Sequence, residues 1–286
     1  MSVVHANVVT YNPDLAQLTD SLQLLLKQTD LILVVNNSPE PLDLHIEGVH
    51  ILELGENLGI ARAQSIAMQW SFERDADFIL QMDQDSTPND DMVPLLLKAY
   101  TDLTALGHKV GLVGPQDYDR FSGHVAEPRV HKAILVAGTH YSAVNATLSS
   151  GSLIPREAYQ VVGGMMDKLF IDAVDHEYCW RLRHNGFSIY KNSEARLAHR
   201  LGNGDKKILG FIRVGVPSPF RHYYAIRNAL LLLPESYVPL SWKLSSIAKI
   251  GFKLVTYPLF LDRGAERFRF IIKGIAHGLT RRSGKL

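Results

Sequence analysis

Short β-rich runs alternate with amphipathic segments over residues 7–113, and this alternation constrains the fold more than any other feature of the chain. The β-rich runs lie at residues 7–11, 31–35, 50–54, 78–82 and 110–113, and the amphipathic segments at 15–27, 60–72 and 92–106. This alternation predicts an α/β fold with a doubly wound, mostly parallel central sheet. Ligands bind beyond the carboxyl ends of such strands, so we expect the polar residues there to converge on one crevice.

The pattern changes after Gly114. β-rich runs lie at residues 133–137, 143–153, 187–190 and 195–198, and helix-like segments at 155–161, 175–185 and 220–233. This order predicts a second, mixed half without a linker between the halves. We expect one domain over residues 1–233 and a helical C-terminal appendage over 234–286.

Bulk composition excludes several classes of protein. The chain has 286 residues, 46% of them hydrophobic, and a formal charge of +1, which is typical of a globular protein. The single cysteine, Cys179, excludes an internal disulfide and a cysteine cluster for zinc. The start does not resemble a signal peptide, and no apolar run approaches the roughly 20 residues that span a bilayer. We therefore expect a cytoplasmic protein.

The C-terminal region is cationic. Between Trp242 and Leu286, ten lysines and arginines face two acids, Asp262 and Glu266, and the basic residues are interleaved with apolar ones. Such a segment suits a helix on an anionic membrane surface. The charge would also suit nucleic acid, and the same pattern fits a helix that packs its apolar side on the domain.

Two acids follow directly after the apolar run 78–82. Asp83 and Asp85 are separated by Gln84 and followed by Ser86, Thr87 and Pro88. Neighbouring carboxylates repel each other, so a pair at a strand end indicates a hard divalent cation that could bridge to a phosphate. The alternative is that Asp85 or Ser86 starts the next helix.

Three other segments carry side chains suited to chemistry. The polar loop 56–59 leads into an Ala-rich helix, whose N-terminus would offer backbone N–H groups to a nucleotide. Asp175 is placed as a general base at a helix start, with the alternative that it caps the helix while Glu177 and Arg181 form a surface ion pair. His199 ends an alternating strand and could be a third ligand for manganese, or a structural histidine.

The ordered set of motifs resembles inverting glycosyltransferase family 2, which has a GT-A fold, and is most similar to its bacterial rhamnosyltransferase branch. The likeness runs from about Ala6 to Leu233. The residues that carry it are Val9-Thr10-Tyr11-Asn12, Val34-Val35-Asn36-Asn37-Ser38, Glu56-Asn57-Leu58-Gly59-Ile60-Ala61, Met82-Asp83-Gln84-Asp85-Ser86, Ser150-Gly151-Ser152, Val162-Gly163-Gly164-Met165, Leu169-Phe170-Ile171-Asp172, Asp175-His176-Glu177, Tyr224 and Arg227-Asn228.

The resemblance implies roles for individual residues. It divides the domain into a nucleotide-binding half, 1–114, and an acceptor-binding half, 115–233. Asp175 becomes the catalytic base, and a Mn²⁺ or Mg²⁺ ion is bound by Asp83, Asp85 and His199. Donor contacts are expected from Thr10, Tyr11, Asn12, Asn36, Asn57, Gly59, Arg62, Asp83, Gln84 and Arg227.

The sequence departs from the family at three places. Asn36 stands where the family usually has Asp, which weakens a base-binding role there. Ser65 and Ala67 replace Asn and Gly in the helix after Gly59, and Val174 replaces the Glu that usually precedes the base.

The resemblance implies inverting transfer of L-rhamnose from a dTDP donor. The expected partners are a glycan or polyprenyl-diphosphate-linked acceptor and an anionic surface on the inner face of the cell membrane, without nucleic acid. Three alternatives remain: another donor, such as a UDP-hexose or UDP-galactofuranose; a nucleotidyltransferase, although residues 10–14 lack its glycine-rich basic loop; and a non-catalytic peripheral membrane protein.

Overall fold

The computed structural model describes residues 2–119, 123, 125, 133–199, 205–208 and 212–286. Its strands are β1 Val4–Thr10, β2 Leu31–Asn36, β3 Val49–Glu53, β4 Phe78–Asp83, β5 Thr87–Pro88, β6 Val110–Asp119, β7 Ile134–Leu135, β8 Tyr141–Val144, β9 Ser152–Pro155, β10 Ser188–His199, β11 Asp205–Ile208 and β12 Ile212–Gly215. Its helices are α1 Leu15–Leu26, α2 Ile60–Phe72, α3 Met92–Ala105, α4 Arg156–Val162, α5 Val174–His184, α6 Pro219–Leu232, α7 Leu240–Phe260 and α8 Gly264–Leu279, with a 3₁₀ turn at Asp167–Leu169.

One sheet organises the described chain. Its strand order is β3-β2-β1-β4-β9-β6-β10-β8-β7, and the short β5 pairs with the end of β10. The first four strands in this order run parallel, as do β6 and β10. β9 runs antiparallel between β4 and β6. The predicted mostly parallel sheet and mixed second half are therefore confirmed.

Helices cover both faces of the sheet, which explains why its strands are apolar on both sides. On one face, Leu22 of α1 and Leu96 of α3 pack with Val8 and Leu80. On the other face α2 packs its alanines on β1 and β2, and α5 packs Tyr178 and Trp180 on the far half of the sheet. The doubly wound arrangement follows from this two-sided burial.

Two predicted β-rich regions differ from the structure. Residues 187–190 and 195–198 form one strand, β10, because the chain bulges after Asn192 instead of ending there. The Asn192 amide holds the bulge by accepting from the Glu194 N–H at 3.0 Å and donating to the Leu95 carbonyl at 3.0 Å. Conversely, residues 143–153 split into β8 and β9, because the chain turns at Gly151, whose φ is +76°.

The C-terminal helices pack on α6. Glycines on α8 allow a close approach: a Cβ at Gly274 would lie 2.8 Å from the Tyr223 carbonyl oxygen, and one at Gly278 would lie 2.7 Å from Leu230. Buried Arg267 ties α8 to the chain before α6 by donating to the Pro217 carbonyl at 2.7 Å. The predicted packing of this region on the rest of the protein is thus observed for one side of these helices, while the division at residue 233 stays a prediction.

Candidate active site

The polar residues at the parallel strand ends converge on one edge of the sheet, as predicted. The strand register sets Thr10 beside Asn36 and Val9 beside Asp83. Gln84 closes this edge, because its side chain accepts from the Tyr11 N–H at 2.6 Å and donates to the Tyr11 carbonyl at 3.2 Å. The Asn12 N–H donates to the Ser38 hydroxyl at 2.8 Å. This edge, formed by residues 10–12, 36–38 and 83–85, is therefore held in place by its own hydrogen bonds, and we call it the polar rim.

The loop before α2 joins this rim. Asn37 accepts from the Leu58 N–H at 2.8 Å, and Asn57 accepts from the Gly59 N–H at 2.9 Å. Gly59 has φ +86°, and a Cβ there would lie 2.6 Å from the carbonyl oxygen of Phe170. Only glycine fits this position, where the loop touches the turn that leads to Asp175.

The side chain of Asn36 is buried and fully engaged within the protein. Its amide donates to the Glu53 carboxylate at 2.6 Å and to the Glu40 carbonyl at 2.8 Å, and its oxygen accepts from the Ser38 N–H at 3.2 Å. An aspartate here would face Glu53 with like charge, so the contact with Glu53 favours the amide of Asn36. The structure thus gives Asn36 the task of shaping the rim, and a direct donor contact from its side chain is not available in this arrangement.

Arg62 lies in the first turns of α2 and is half exposed. Its guanidinium pairs with Asp167 at 2.8 Å, and the second carboxylate oxygen of Asp167 accepts from Ser65 at 2.7 Å. Ser65, which replaces the family's usual Asn, therefore tethers the 3₁₀ turn to α2. The role of Arg62 toward a donor stays a prediction.

Asp83 ends β4, Asp85 lies in the tight turn that leads to β5, and neither starts a helix. The next helix, α3, begins at Met92 after Asp91, so the helix-cap alternative is wrong. Ser86 is buried and anchors the turn: its hydroxyl accepts from Ser150 at 2.9 Å, and its carbonyl accepts from Ser21 at 2.8 Å. The turn holds both acids at the rim.

Three carboxylates share this place. Burial, followed by the charges of Asp175 and Asp85, raises the pKa of Asp83 to about 7. Mutually repelling carboxylates lose their repulsion when a cation lies among them, and their hard oxygens suit Mg²⁺ or Mn²⁺. The residues present therefore fit a divalent ion.

The acids do not form a complete metal cage. Within the residues that the structure describes, no group of three histidine, cysteine, aspartate or glutamate side chains is arranged to hold a metal ion. His199 ends β10 opposite Asp119, and its side chain lies outside the described residues. Asp83 and Asp85 are the described residues that would hold such an ion, and other oxygen atoms would complete its ligands.

Asp175 is the second residue of α5, and Ala173 occupies the capping position, so the alternative that Asp175 caps the helix is wrong. Its carboxylate accepts hydrogen bonds from the side chain and the backbone of Ser149. Burial raises the pKa of Asp175, while the bonds from Ser149 oppose the rise. Gln64 donates to the Ser149 hydroxyl at 3.1 Å, so a buried relay from α2 orients the carboxylate.

The Glu177–Arg181 pair is buried, which corrects the alternative of a surface ion pair. Glu177 accepts from Arg181 at 2.7 Å and from the Tyr237 hydroxyl at 2.9 Å. Arg181 also donates to the Gly164 carbonyl at 2.7 Å. The pair joins α5 to neighbouring loops, so Glu177 is engaged there, and Asp175 is the acid of this helix whose charge acts on Asp83.

The turn before α5 is strained. Phe170, Asp172 and Ala173 have φ values of 63°, 70° and 66°, although none is glycine. Such backbone costs about 1–3 kcal/mol for each residue and persists only where other contacts impose it. The Asn228 amide supplies these contacts by donating to the carbonyls of Leu169, Ile171 and Asp172 at 3.0, 2.7 and 2.8 Å.

Arg227 does not reach the donor side, which corrects the prediction of a donor contact. It is fully buried, and its guanidinium donates to the Leu169 carbonyl at 2.8 Å, to the Asn228 oxygen at 2.8 Å and to the Gly284 carbonyl. We call Arg227 and Asn228 the turn clamp. Both residues of the motif therefore act on the turn that leads to Asp175.

Sequence reasoning missed two contributors to the site, Ser149 and Gln64, and it named Asn228 within a motif without giving it a role. Gln64 is a polar residue on the buried, Ala-rich face of α2, and that mismatch was a usable signal. Ser149 gave no such signal, because one more serine in a loop is unremarkable.

Known proteins resemble this chain in sequence and in structure. A profile described as Glycosyl transferase family 2 matches residues 6–142. The dTDP-rhamnosyl transferase RfbF of Shigella flexneri is 32% identical over 285 residues, which cover 96% of this chain and 93% of that protein. The S. aureus protein TarS, residues 1–349, has a TM-score of 0.61 at 14% identity, with 98% of this chain and 82% of that chain covered.

GalNAc-T7, solved with UDP, GalNAc and Mn²⁺, has a TM-score of 0.57 at 11% identity. The match covers 99% of this chain and 58% of that one. At such identities the solved structures establish a shared fold alone, and that fold is GT-A, as predicted.

Proposed function

The chain belongs to glycosyl transferase family 2, and on that premise we propose that it transfers L-rhamnose from dTDP-L-rhamnose to a hydroxyl group of a lipid-linked or growing cell-surface glycan. The observation that carries the proposal is the link between Asp83 and Asp175 through one loop: the Asp83 N–H donates to the Ser150 hydroxyl at 3.1 Å, and the preceding residue, Ser149, hydrogen-bonds to the Asp175 carboxylate. The donor sugar is suggested by the name of the relative that matches almost the whole chain.

Asp175 supplies the base. It removes the proton of the acceptor hydroxyl as that oxygen bonds to the anomeric carbon of the sugar. The bond from this carbon to the diphosphate breaks at the same time, dTDP leaves, and the configuration of the anomeric carbon is inverted. Burial favours this step, since a carboxylate with a raised pKa binds a proton more strongly than one in water. The hydrogen bonds from Gln64 to Ser149 and from Ser149 to Asp175 hold the Asp175 carboxylate in position.

The rim binds the donor. Tyr11, Asn12 and the loop 57–59 surround the place of the nucleotide, and Gln84 fixes their spacing. A Mn²⁺ or Mg²⁺ ion bound by Asp85 and Asp83, with His199 as the predicted third ligand, would offset negative charge on the diphosphate. Asp83 also faces the nucleotide.

A donor panel tests the proposal. The protein is incubated with dTDP-rhamnose, UDP-hexoses or UDP-galactofuranose, together with manganese and membrane extract as the source of acceptor, and free nucleoside diphosphate is measured. We expect release from dTDP-rhamnose. Release only from a UDP donor would replace the proposed sugar, and no release from any donor would favour the non-catalytic alternative.

The structure argues against the nucleotidyltransferase alternative. In α1, the helix after β1, the Asp14 carboxylate accepts from the N–H groups of Ala16 and Gln17 at 3.0 and 3.2 Å. These are the donors that a phosphate loop would offer to a nucleotide at this helix start. In this chain they are already satisfied.

We also propose peripheral binding to an anionic membrane through α7. Its exposed apolar residues recur at helical spacing and are each more than half exposed; they are Leu240, Leu244, Ile247, Val255 and Leu259. These five residues form the outer stripe of α7. Exposed basic residues lie on α8 and the residues that follow it; they include Arg269, Lys273, Arg281, Arg282 and Lys285. Apolar residues with flanking cations are the pattern of interfacial helices.

The described helices offer no candidate for a membrane span.

Charge placed on the outer stripe should prevent membrane binding. We expect the double change Leu244→Glu and Val255→Glu to lower binding to phosphatidylglycerol vesicles by at least about tenfold, because each leucine or valine loses roughly 1.5–3 kcal/mol of burial. Co-sedimentation measures the bound fraction. Leu106→Glu, at an exposed position after α3, is the matched control. Equal binding by the double variant and the control would exclude the outer stripe as the membrane contact.

A further inference from the structure

A row of polar side chains crosses the buried sheet beneath α2. Asn7 of β1, Gln81 of β4 and Ser152 of β9 stand side by side in the strand register, and all three are fully buried. Gln64 and Ser71 of α2 are also fully buried, and they lie about two turns apart on the helix face that covers the sheet. Polar groups in such a place need partners, because water does not reach them.

Two hydrogen bonds from α2 fix the ends of this group. The Ser71 hydroxyl donates to Asn7 Oδ1 at 2.7 Å. Gln64 Nε2 donates to Ser149 Oγ at 3.1 Å, and Ser149 hydrogen-bonds to the Asp175 carboxylate. One end of the group therefore lies on β1, and the other end is at the residue proposed as the base.

Within the part of the chain that the structure describes, three amides of this group keep polar atoms without a hydrogen-bond partner. These atoms are Nδ2 of Asn7, Nε2 and Oε1 of Gln81, and Oε1 of Gln64. Two belong to donors and two are acceptors, so the unpaired groups match in number. Gln81 stands between the two ends: it is beside Asn7 in the register, and its carbonyl accepts from the N–H of Gly151, in the loop of Ser149, at 2.7 Å.

We propose that Gln81 joins these groups into one hydrogen-bonded relay from Ser71 to Asp175, and that Gln81 is therefore a positioning residue for the base. In this amide relay Asn7 Nδ2 donates to Gln81 Oε1, and Gln81 Nε2 donates to Gln64 Oε1, directly or through an ordered water. The proposal rests on the glycosyltransferase function and deepens it, because it adds residues that hold the base of that reaction.

The direction of the amide relay decides what Ser149 can do. If Gln64 accepts from Gln81 at Oε1, its Nε2 is presented to the Ser149 hydroxyl, whose own proton is then free for the Asp175 carboxylate. A reversed Gln64 amide would present its oxygen to Ser149 and draw that proton away from Asp175. Gln81 thereby selects the orientation of Gln64 in which Asp175 is held.

Replacement of the central amide tests the relay. Gln81→Met removes both polar atoms and keeps a side chain of similar length. We expect kcat for sugar transfer to fall about tenfold, because a small misplacement of a catalytic group can cost up to about 10²-fold. The Kd for dTDP, measured by calorimetry, should stay within about threefold of the wild-type value.

Leu80→Met is the matched control, because Leu80 is the neighbour of Gln81 on β4 and packs on the opposite face of the sheet. Equal kcat values for the two variants would overturn the proposal. Weaker dTDP binding by Gln81→Met would also overturn it, because the residue would then support the polar rim and not the base.

A double-mutant cycle separates the relay from a merely structural role. Gln64→Met should lower kcat at least as much as Gln81→Met does. Adding Gln81→Met to Gln64→Met should cause no further loss, because the relay is already broken at Gln64. Two independent packing defects would instead multiply their effects on kcat, and that result would contradict the proposal.

A crystal structure of the wild-type protein gives a test that does not depend on the folding of a variant. We expect Gln81 to be joined to Asn7 on one side and to Gln64 on the other, by direct hydrogen bonds or through one water each. A relay interrupted on either side of Gln81 would overturn the proposal.

The two proposals can fail separately. If the wild-type protein releases no nucleoside diphosphate from any donor, the glycosyltransferase proposal fails, and the crystal structure still decides whether the relay exists. If the wild type transfers sugar and the Gln81 and Gln64 variants keep its kcat, only the amide relay is wrong.

Discussion

Asp175→Asn should lower kcat for sugar transfer by about 10²- to 10⁴-fold, the usual contribution of a positioned general base. The amide has nearly the shape of the carboxylate and can still accept from Ser149, so the fold and the polar rim should be unchanged. Release of dTDP in the presence of acceptor measures kcat, and calorimetry measures the Kd for dTDP, which should stay within about threefold. Unchanged turnover would remove Asp175 from the role of base.

A matched control is Asp20→Asn, an exposed acid on α1, which should keep full activity. The pH profile adds an independent readout. Burial raises the pKa of Asp175, and only the ionised form accepts a proton, so kcat of the wild type should fall as the pH drops through that pKa. The Asn variant should lack this acid limb. A wild-type acid limb that persists in the variant would belong to another group.

Removal of divalent metal should stop transfer, and addition of Mn²⁺ or Mg²⁺ after excess chelator should restore it. The reason is electrostatic: without a cation, the diphosphate of the donor would meet the negative charges of Asp83 and Asp85. Asp85→Asn should require a higher metal concentration for half-maximal activity. Activity that survives a chelator would mean that the two acids have a different task.

The same site should link metal binding to pH. The pKa of Asp83 is about 7 in the folded protein, above the 3.8 of an ordinary aspartate, so the folded state without metal loses stability as the pH rises from about 4 through 7. Protons and the metal compete for this carboxylate. The rise in melting temperature on adding Mn²⁺ should therefore be larger at pH 8 than at pH 6, and an equal rise would contradict metal binding by Asp83.

Local sequence was sufficient where local chemistry decides the structure. The bounds of α2 agree with the predicted residues 60–72, because Gly59 must start the helix and Phe72 ends its apolar face. The end of β4 was equally clear, because an apolar run stops at two acids. The convergence of the strand ends also followed from the sequence, since parallel strands leave their carboxyl ends at one edge.

Long-range packing decided what the sequence could not predict. Arg227 was a plausible phosphate ligand until the fold buried it against carbonyls 57 to 59 residues away. The hydrogen bond from Asn36 to Glu53 could not be predicted for the same reason, because it depends on the register of β2 and β3. Whether Arg227 or Asn36 can contact a ligand depends on the residues packed around it and not on the motif that contains it.

The docking of the C-terminal residues has a consequence for synthesis on the ribosome. Arg227 of the turn clamp donates to the Gly284 carbonyl, the Gly284 N–H donates to the Lys168 carbonyl at 3.1 Å, and the Leu286 N–H donates to the Tyr224 hydroxyl at 3.0 Å. Tyr224 in turn stacks on Phe170 of the strained turn, with 5.1 Å between ring centroids. The ribosome adds residues 284–286 long after the rim residues 10–84, so the contacts that support the turn leading to Asp175 form last. A chain that lacks residues 284–286 should therefore transfer sugar poorly.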